Sequence, residues 1–267
     1  MKVLDLFSGI GGFSLGLERA GMETVAFCEN DKFCQKVLAK HWPDVPIHNN
    51  IEELDGREYK GTVNLVCGGF PCQPFSVAGP QRGAEDDRAL WPEMLRVIRE
   101  VEPAWVIGEN VSGIIHMELD NVLSDLEGEG YSCQTFVIPA CGVDARHKRN
   151  RVWIVAHSGI ERLQGSEETG DSLGGRTNRE QLSARLSGVP RWNKSSNQPR
   201  MGGMVDGVSR WMDEPEGIPR VIGKVPDRVH RLKALGNAVV PQVVEVLGRM
   251  VMKIENERIL EVNPLGN

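Results

Sequence analysis

The stretch Lys2-Val3-Leu4-Asp5-Leu6-Phe7-Ser8-Gly9-Ile10-Gly11-Gly12-Phe13-Ser14-Leu15-Gly16-Leu17-Glu18-Arg19-Ala20-Gly21 contains a complete change of period. An apolar run of strand length gives way to clustered glycines, and these lead into residues with apolar positions at helical spacing. Strand, tight turn and helix in that order are the opening of an α/β unit. Glycines at such a turn let the backbone approach a ligand at the carboxyl edge of a parallel sheet, so Gly9, Ile10, Gly11 and Gly12 are candidate cofactor residues. Twenty residues after Gly9, a second predicted strand ends at Glu29, whose carboxylate can accept hydrogen bonds from ribose hydroxyls. Taken alone, the turn suits a dinucleotide as well as S-adenosylmethionine.

Outward from this unit, the pattern predicts strands over 2–7, 24–28, 62–67, 104–108, 133–138 and 152–156. Helical patterns alternate with several of them, which reads as a parallel sheet covered on both faces. The clearest helix is predicted over 88–101, after Asp86 and Asp87 as capping residues, with Leu90, Met94, Leu95, Val97, Ile98 and Val101 at helical spacing. After His157 the periodicity fades into Gly, Ser, Glu, Arg and Asn. It returns at Val239-Val240-Pro241, where Val243, Val244, Leu247, Met250, Val251 and Ile254 mark one helix face. The expected organisation is therefore a catalytic and cofactor-binding domain over 1–157, a small irregular region over 158–227, and a C-terminal segment over 228–267 that returns to complete the first domain.

The chain has 267 residues, 40% of them hydrophobic and 25% charged, and a formal net charge of −6. No apolar run is long enough to span a bilayer, and Asp5 interrupts the place where an export signal would need its apolar stretch, so no membrane partner and a cytoplasmic address are expected. The six cysteines lack the paired spacing of a zinc site and are too sparse for a disulfide scaffold, so no metal site is expected. Basic charge gathers late: residues 176–200 carry five arginines and Lys194 against the single acid Glu180, and 144–151 carries Arg146, Lys148, Arg149 and Arg151 against Asp144. Such runs suit either a solvated surface or phosphate contacts.

Three further segments carry reactive chemistry. Val63-Asn64-Leu65-Val66-Cys67 empties into Gly68-Gly69-Phe70-Pro71-Cys72-Gln73-Pro74-Phe75-Ser76, where two prolines bracket Cys72 and hold its thiol at the edge that bears the glycine turn. Cys72 is the candidate nucleophile, against the alternative of a cysteine that merely sits in a rigid loop. The next strand ends in Glu109-Asn110-Val111, and burial there would equip Glu109 to give a proton or hydrogen bond to a substrate ring. Before Val152 stands Arg146-His147-Lys148-Arg149-Asn150-Arg151; if extended, Arg149 and Arg151 point to one face and can hold phosphate or a carbonyl oxygen.

In this order the segments resemble the DNA cytosine-5 methyltransferase family. Asp5 to Phe13 is similar to its first cofactor motif, Pro71-Cys72-Gln73-Pro74 to its catalytic loop, and Glu109-Asn110-Val111 to its acid motif. Arg149-x-Arg151 is similar to its arginine pair, and Arg231-Leu232-Lys233-Ala234-Leu235-Gly236-Asn237-Ala238-Val239 to its last motif. The likeness is nearest to compact phage- or prophage-type members. It implies a Rossmann-like S-adenosylmethionine-dependent methyltransferase sheet, an α/β fold, with 158–227 as a small target-recognition region. It implies Cys72 attack on C6 of a flipped-out cytosine in double-stranded DNA, Glu109 at N3, Arg151 at O2 with Arg149 in support, and methyl transfer to C5. It also implies Phe7, Asn50, Ile51, Pro71, Leu90, Asn237 and Ala238 around the cofactor, with Glu29 on its ribose. A monomer is expected, either a modification methylase with a cognate restriction endonuclease as partner or an orphan methylase without one; the alternative substrate is transfer RNA, which some relatives modify. Asn50 stands where the family usually has Asp, and His147 where it usually has Gln.

Overall fold

The computed structural model describes residues 1–71, 90–145, 147–159 and 227–262. Among them a seven-stranded sheet runs in the order β3-β2-β1-β4-β5-β7-β6. Its strands are β1 (Lys2–Leu6), β2 (Glu23–Cys28), β3 (Ile47–His48), β4 (Leu65–Gly68), β5 (Trp105–Val111), β6 (Tyr131–Pro139) and β7 (Asn150–Ser158). The helices are α1 (Gly12–Arg19), α2 (Lys32–His41), α3 (Trp91–Val101), α4 (Leu119–Gly128), α5 (Arg228–Asn237) and α6 (Pro241–Val262). All the described residues after 227 belong to the same unit as the N-terminal sheet.

The expectation of a parallel sheet is corrected at its far end. β7 runs antiparallel to both β5 and β6. The cause is the connection: a parallel crossover needs a dozen or more residues, usually a helix, to carry the chain back across the sheet. Between β6 and β7 there is only a 3₁₀ turn, Ala140–Val143, and the residues up to Arg149. The chain must return as a hairpin. The reversal puts the start of β7, with Arg151, at the edge where β1, β2, β4 and β5 end, and pairs Val111 with Arg151 and Glu109 with Trp153.

Apolar residues on one face of the sheet, among them Leu4, Leu6, Val66, Val106 and Ile154, pack under α3 and α4 through Met94, Ile98, Val122 and Leu126. The other face, with Val3, Leu65, Ile107 and Trp153, is covered by Phe13 and Leu17 of α1 and by Val243, Val244, Leu247 and Val251 of α6. Each fully buried side chain of this size contributes about 1.5–3 kcal/mol of burial free energy, which is what holds a helix from the far end of the chain against the first one. The two helices meet closely because Gly16 presents no side chain. A Cβ there would lie 2.5 Å from both the Pro241 carbonyl oxygen and the Val244 Cβ.

The third helix starts at Trp91 with Pro92 in its first turn and no side-chain cap. Asp86 and Asp87, read as its capping residues, lie outside the described residues, as does the basic run 176–200. It ends at Glu102 in the left-handed region, φ 51°, just before Pro103, which cannot extend it.

Candidate active site

The glycine turn is held from both sides. Asp5, at the end of β1, accepts hydrogen bonds through Oδ2 from the hydroxyl (2.7 Å) and backbone N–H (3.3 Å) of Ser14, which pins the start of α1. Complete burial pushes the Asp5 carboxyl up to about 7, against the lowering effect of those bonds. Across the turn, Glu29 at the end of β2 accepts the Gly9 N–H on Oε2 and the Asp31 N–H on Oε1, both at 2.7 Å. Gly9 has φ +55°, and a Cβ on it would meet nothing within 4 Å, so the turn faces open space there. Phe7 is the exception to steric rule: a bulky residue at φ +52° is strained, and such strain gathers where a backbone is held for a ligand. Ile10 follows half-buried, while Gly11 and Gly12 are buried, Gly12 against Val239.

Beyond β3, Asn50 and Ile51 open a 3₁₀ turn. Asn50 Oδ1 accepts the Glu52 N–H at 3.2 Å, and Ile51 is buried in the core beneath α3. β3, which leads into the turn, is tied to the end of β2 by the Glu29 N–H, which donates to the His48 carbonyl at 2.9 Å.

Four residues of the cysteine loop are described, Gly68 to Pro71; Cys72 itself lies outside the described residues. The base of the loop is fastened. Asn110 donates through Nδ2 to the Phe70 carbonyl at 2.9 Å, and the Phe70 ring is buried against Trp91, 5.0 Å between centroids. Pro71 is exposed, and Leu90, half-buried, precedes α3.

Glu109 is 7% exposed, with Oε1 2.8 Å from Arg151 Nε. Burial raises its carboxyl to about 7, while the charges of Arg151 and Arg149 pull the other way. Desolvation wins, so near neutral pH this group is balanced between holding and releasing a proton. The expected common face for Arg149 and Arg151 is corrected here. Arg149 precedes β7 with φ +32°, off the extended geometry that would alternate side chains. Its Nη2 donates to the carbonyls of Gly236 (2.7 Å) and Ala238 (2.8 Å), whereas Arg151 turns to Glu109. Arg149 therefore ties the edge of the sheet to the C-terminal end of α5, where Asn237 is exposed and Ala238 half-buried. Among the described residues no His, Cys, Asp and Glu cluster is grouped to hold a metal ion, and no helix is long and apolar enough to cross a membrane.

The sequence reading assigned no task to Asn110, the fastener of the cysteine loop, nor to Arg96 of α3. The available signal for Arg96 was charge spacing, with Glu93, Arg96 and Glu100 on one helix face.

The described residues thus form a Rossmann-like α/β sheet with a strained glycine turn, an acidic second strand end and a buried carboxyl–arginine pair along one edge. Residues 1–195 match the sequence model of the C-5 cytosine-specific DNA methylases, and the chain belongs to that family. It is 37% identical over 164 residues to the type II methyltransferase M.Eco47II of Escherichia coli, a match covering 58% of this chain and 39% of that protein. To the type II methyltransferase M.PspPI of a Psychrobacter strain it is 39% identical over 161 residues, with the same coverage, 58% and 39%. The chain thus spans about two fifths of the length of these curated relatives. Among solved structures it is similar to an Escherichia coli prophage protein described as a candidate DNA modification methyltransferase, with TM-score 0.52 and 26% identity over 59% of this chain and 47% of that one.

Proposed function

We propose that this chain is a DNA (cytosine-5-)-methyltransferase that modifies cytosine in double-stranded DNA, acts in the cytoplasm as a monomer, and works beside a cognate restriction endonuclease. The observation that carries the reading is the Glu109–Arg151 pair at 2.8 Å, one strand away from the loop that leads into Cys72. A carboxyl group near 7 can keep a proton at neutral pH and present it to N3 of a cytosine, while Arg151 takes O2. Protonation or hydrogen bonding at N3 draws electron density from the ring, and C6 then accepts the Cys72 thiolate; the C6–S bond forms and C5 becomes nucleophilic. After C5 has been methylated, loss of its proton re-forms the C5–C6 double bond and expels the thiolate. Because C6 is out of reach inside a duplex, the base is flipped out, with residues 158–227 as the target-recognition region.

The glycine turn fits S-adenosylmethionine, which supplies the electrophilic methyl group. Glu29 keeps lone pairs beyond those used by Gly9 and Asp31, so it can still accept ribose hydroxyls, and the open space at Gly9 gives a ligand room. Phe7, Ile10, Gly11, Gly12, Asn50, Ile51, Pro71, Leu90, Asn237 and Ala238 would complete the pocket. Arg149 would hold the Gly236–Ala238 turn against it.

Bisulfite sequencing of DNA from cells that express the chain tests the reading. Methylated cytosines in a fixed sequence context are expected, and none with Cys72→Ala, which should still bind cofactor. Undiminished methylation by Cys72→Ala would sink the mechanism.

A further inference from the structure

Residues 49–60 lie outside the sheet, in two short 3₁₀ turns, Ile51–Glu53 and Gly56–Tyr59. A segment with so little ladder bonding needs its position fixed by side chains. Much of that fixing comes from α3. Arg96 donates through Nη2 to the Ile51 carbonyl at 2.6 Å and through Nη1 to the Leu54 carbonyl at 3.0 Å. The rest of its guanidinium is held on α3 itself: Nε by Glu93 at 2.8 Å and Nη1 by Glu100 at 2.8 Å. Glu100 in turn accepts the Gly56 N–H on Oε2 at 2.7 Å. The fit is close, since a Cβ on Gly56 would lie 2.9 Å from the Glu100 Cβ. A rigid planar fork, locked by two carboxylates and aimed at two carbonyls three residues apart, specifies the orientation of the turn.

That turn carries Asn50 and Ile51. Asn50 offers a neutral amide, which must be oriented before it can accept from an exocyclic amino group, and its Oδ1 already caps Glu52. We propose that Arg96 is a positioning residue for the cofactor: by holding the Ile51 and Leu54 carbonyls, with Glu100 as its partner at Gly56, it sets the affinity for the adenine end of S-adenosylmethionine without touching it. This rests on the reading of the glycine turn as the S-adenosylmethionine site.

The test is calorimetric titration of the full chain with S-adenosylmethionine and with S-adenosylhomocysteine, alongside steady-state kinetics and amide hydrogen exchange. Arg96→Met is expected to weaken both ligands and raise the cofactor KM on the order of tenfold to a hundredfold, with kcat at saturation nearly unchanged. Exchange at the Gly56 amide should accelerate. Arg96→Lys, whose ammonium can serve one carbonyl but not the fork, should recover part of the affinity, and Glu100→Gln should lose less than Arg96→Met. Wild-type affinity in both Arg96 variants overturns the inference alone. A fall in kcat as large as the rise in KM also overturns it, because general damage would then explain the loss. Failure of the wild-type chain to bind either ligand overturns the cofactor reading and this inference with it.

Discussion

The β1–α1 junction and the β5–β7 edge each bury a carboxyl group, Asp5 and Glu109. Burial lifts both to about 7. What separates them is their company. Asp5 is fully sealed between Ser14 and Cys67, and its two bonds from Ser14 hold the start of α1. Glu109 stands near the end of β5 with Oε1 2.8 Å from Arg151 Nε, and Gly69 leaves space beside Oε2. A raised carboxyl is thus common to a structural pin and to a candidate acid, and the arginine beside Glu109 distinguishes them.

The largest expected effect is at Glu109. Glu109→Gln keeps the shape but cannot lend a proton, so the single-turnover methylation rate should fall on the order of 10²- to 10⁴-fold. DNA and cofactor affinities, measured by titration, should stay near wild type; a fall in rate below tenfold would erase the distinction from Asp5. Next comes Asp5→Ala, which leaves the Ser14 hydroxyl and N–H without their acceptor. Urea denaturation should show a loss of about 2–4 kcal/mol, while the activity per folded molecule changes little.

The smallest effect at any one pH is in Asp5→Asn, which keeps an acceptor for Ser14 and removes the titration. The folded-state value lies above the ordinary 3.8, at about 7. The native state therefore holds the proton longer than the unfolded chain. Its stabilising contribution is complete below the ordinary value and is lost as pH rises to about 7. The urea midpoint of the wild type should decline across that window, Glu109 adding a decline of the same sign. In Asp5→Asn the decline should be shallower, and an unchanged slope would show that Asp5 does not titrate there.

Much of the sheet could be read from local pattern. β1, β2, β4 and β5 follow runs of buried residues, and the glycines mark the first turn, because strand and helix periods are short-range properties of the chain. The two-residue β3 is too short to leave a period, and the direction of β7 depends on the length and shape of its connection. Residue types at the edge were equally legible: a glutamate near the end of β5, two arginines before Val152, an acid after β2. Their pairing was not. Spacing suggested one face for Arg149 and Arg151, yet one meets Glu109 and the other meets carbonyls 87 and 89 residues further along the chain.

By itself, then, the sequence determined the α/β alternation, the glycine turn and the family, since periodicity, turn chemistry and motif order are all written within short windows. Only the tertiary structure decided which arginine takes the buried carboxyl, which clasps the C-terminal turn, and that Arg96 reaches 42 and 45 residues back to hold Leu54 and Ile51. Those partnerships form when distant segments are packed to contact, and a guanidinium bonds whichever oxygen the fold brings within about 3 Å of it.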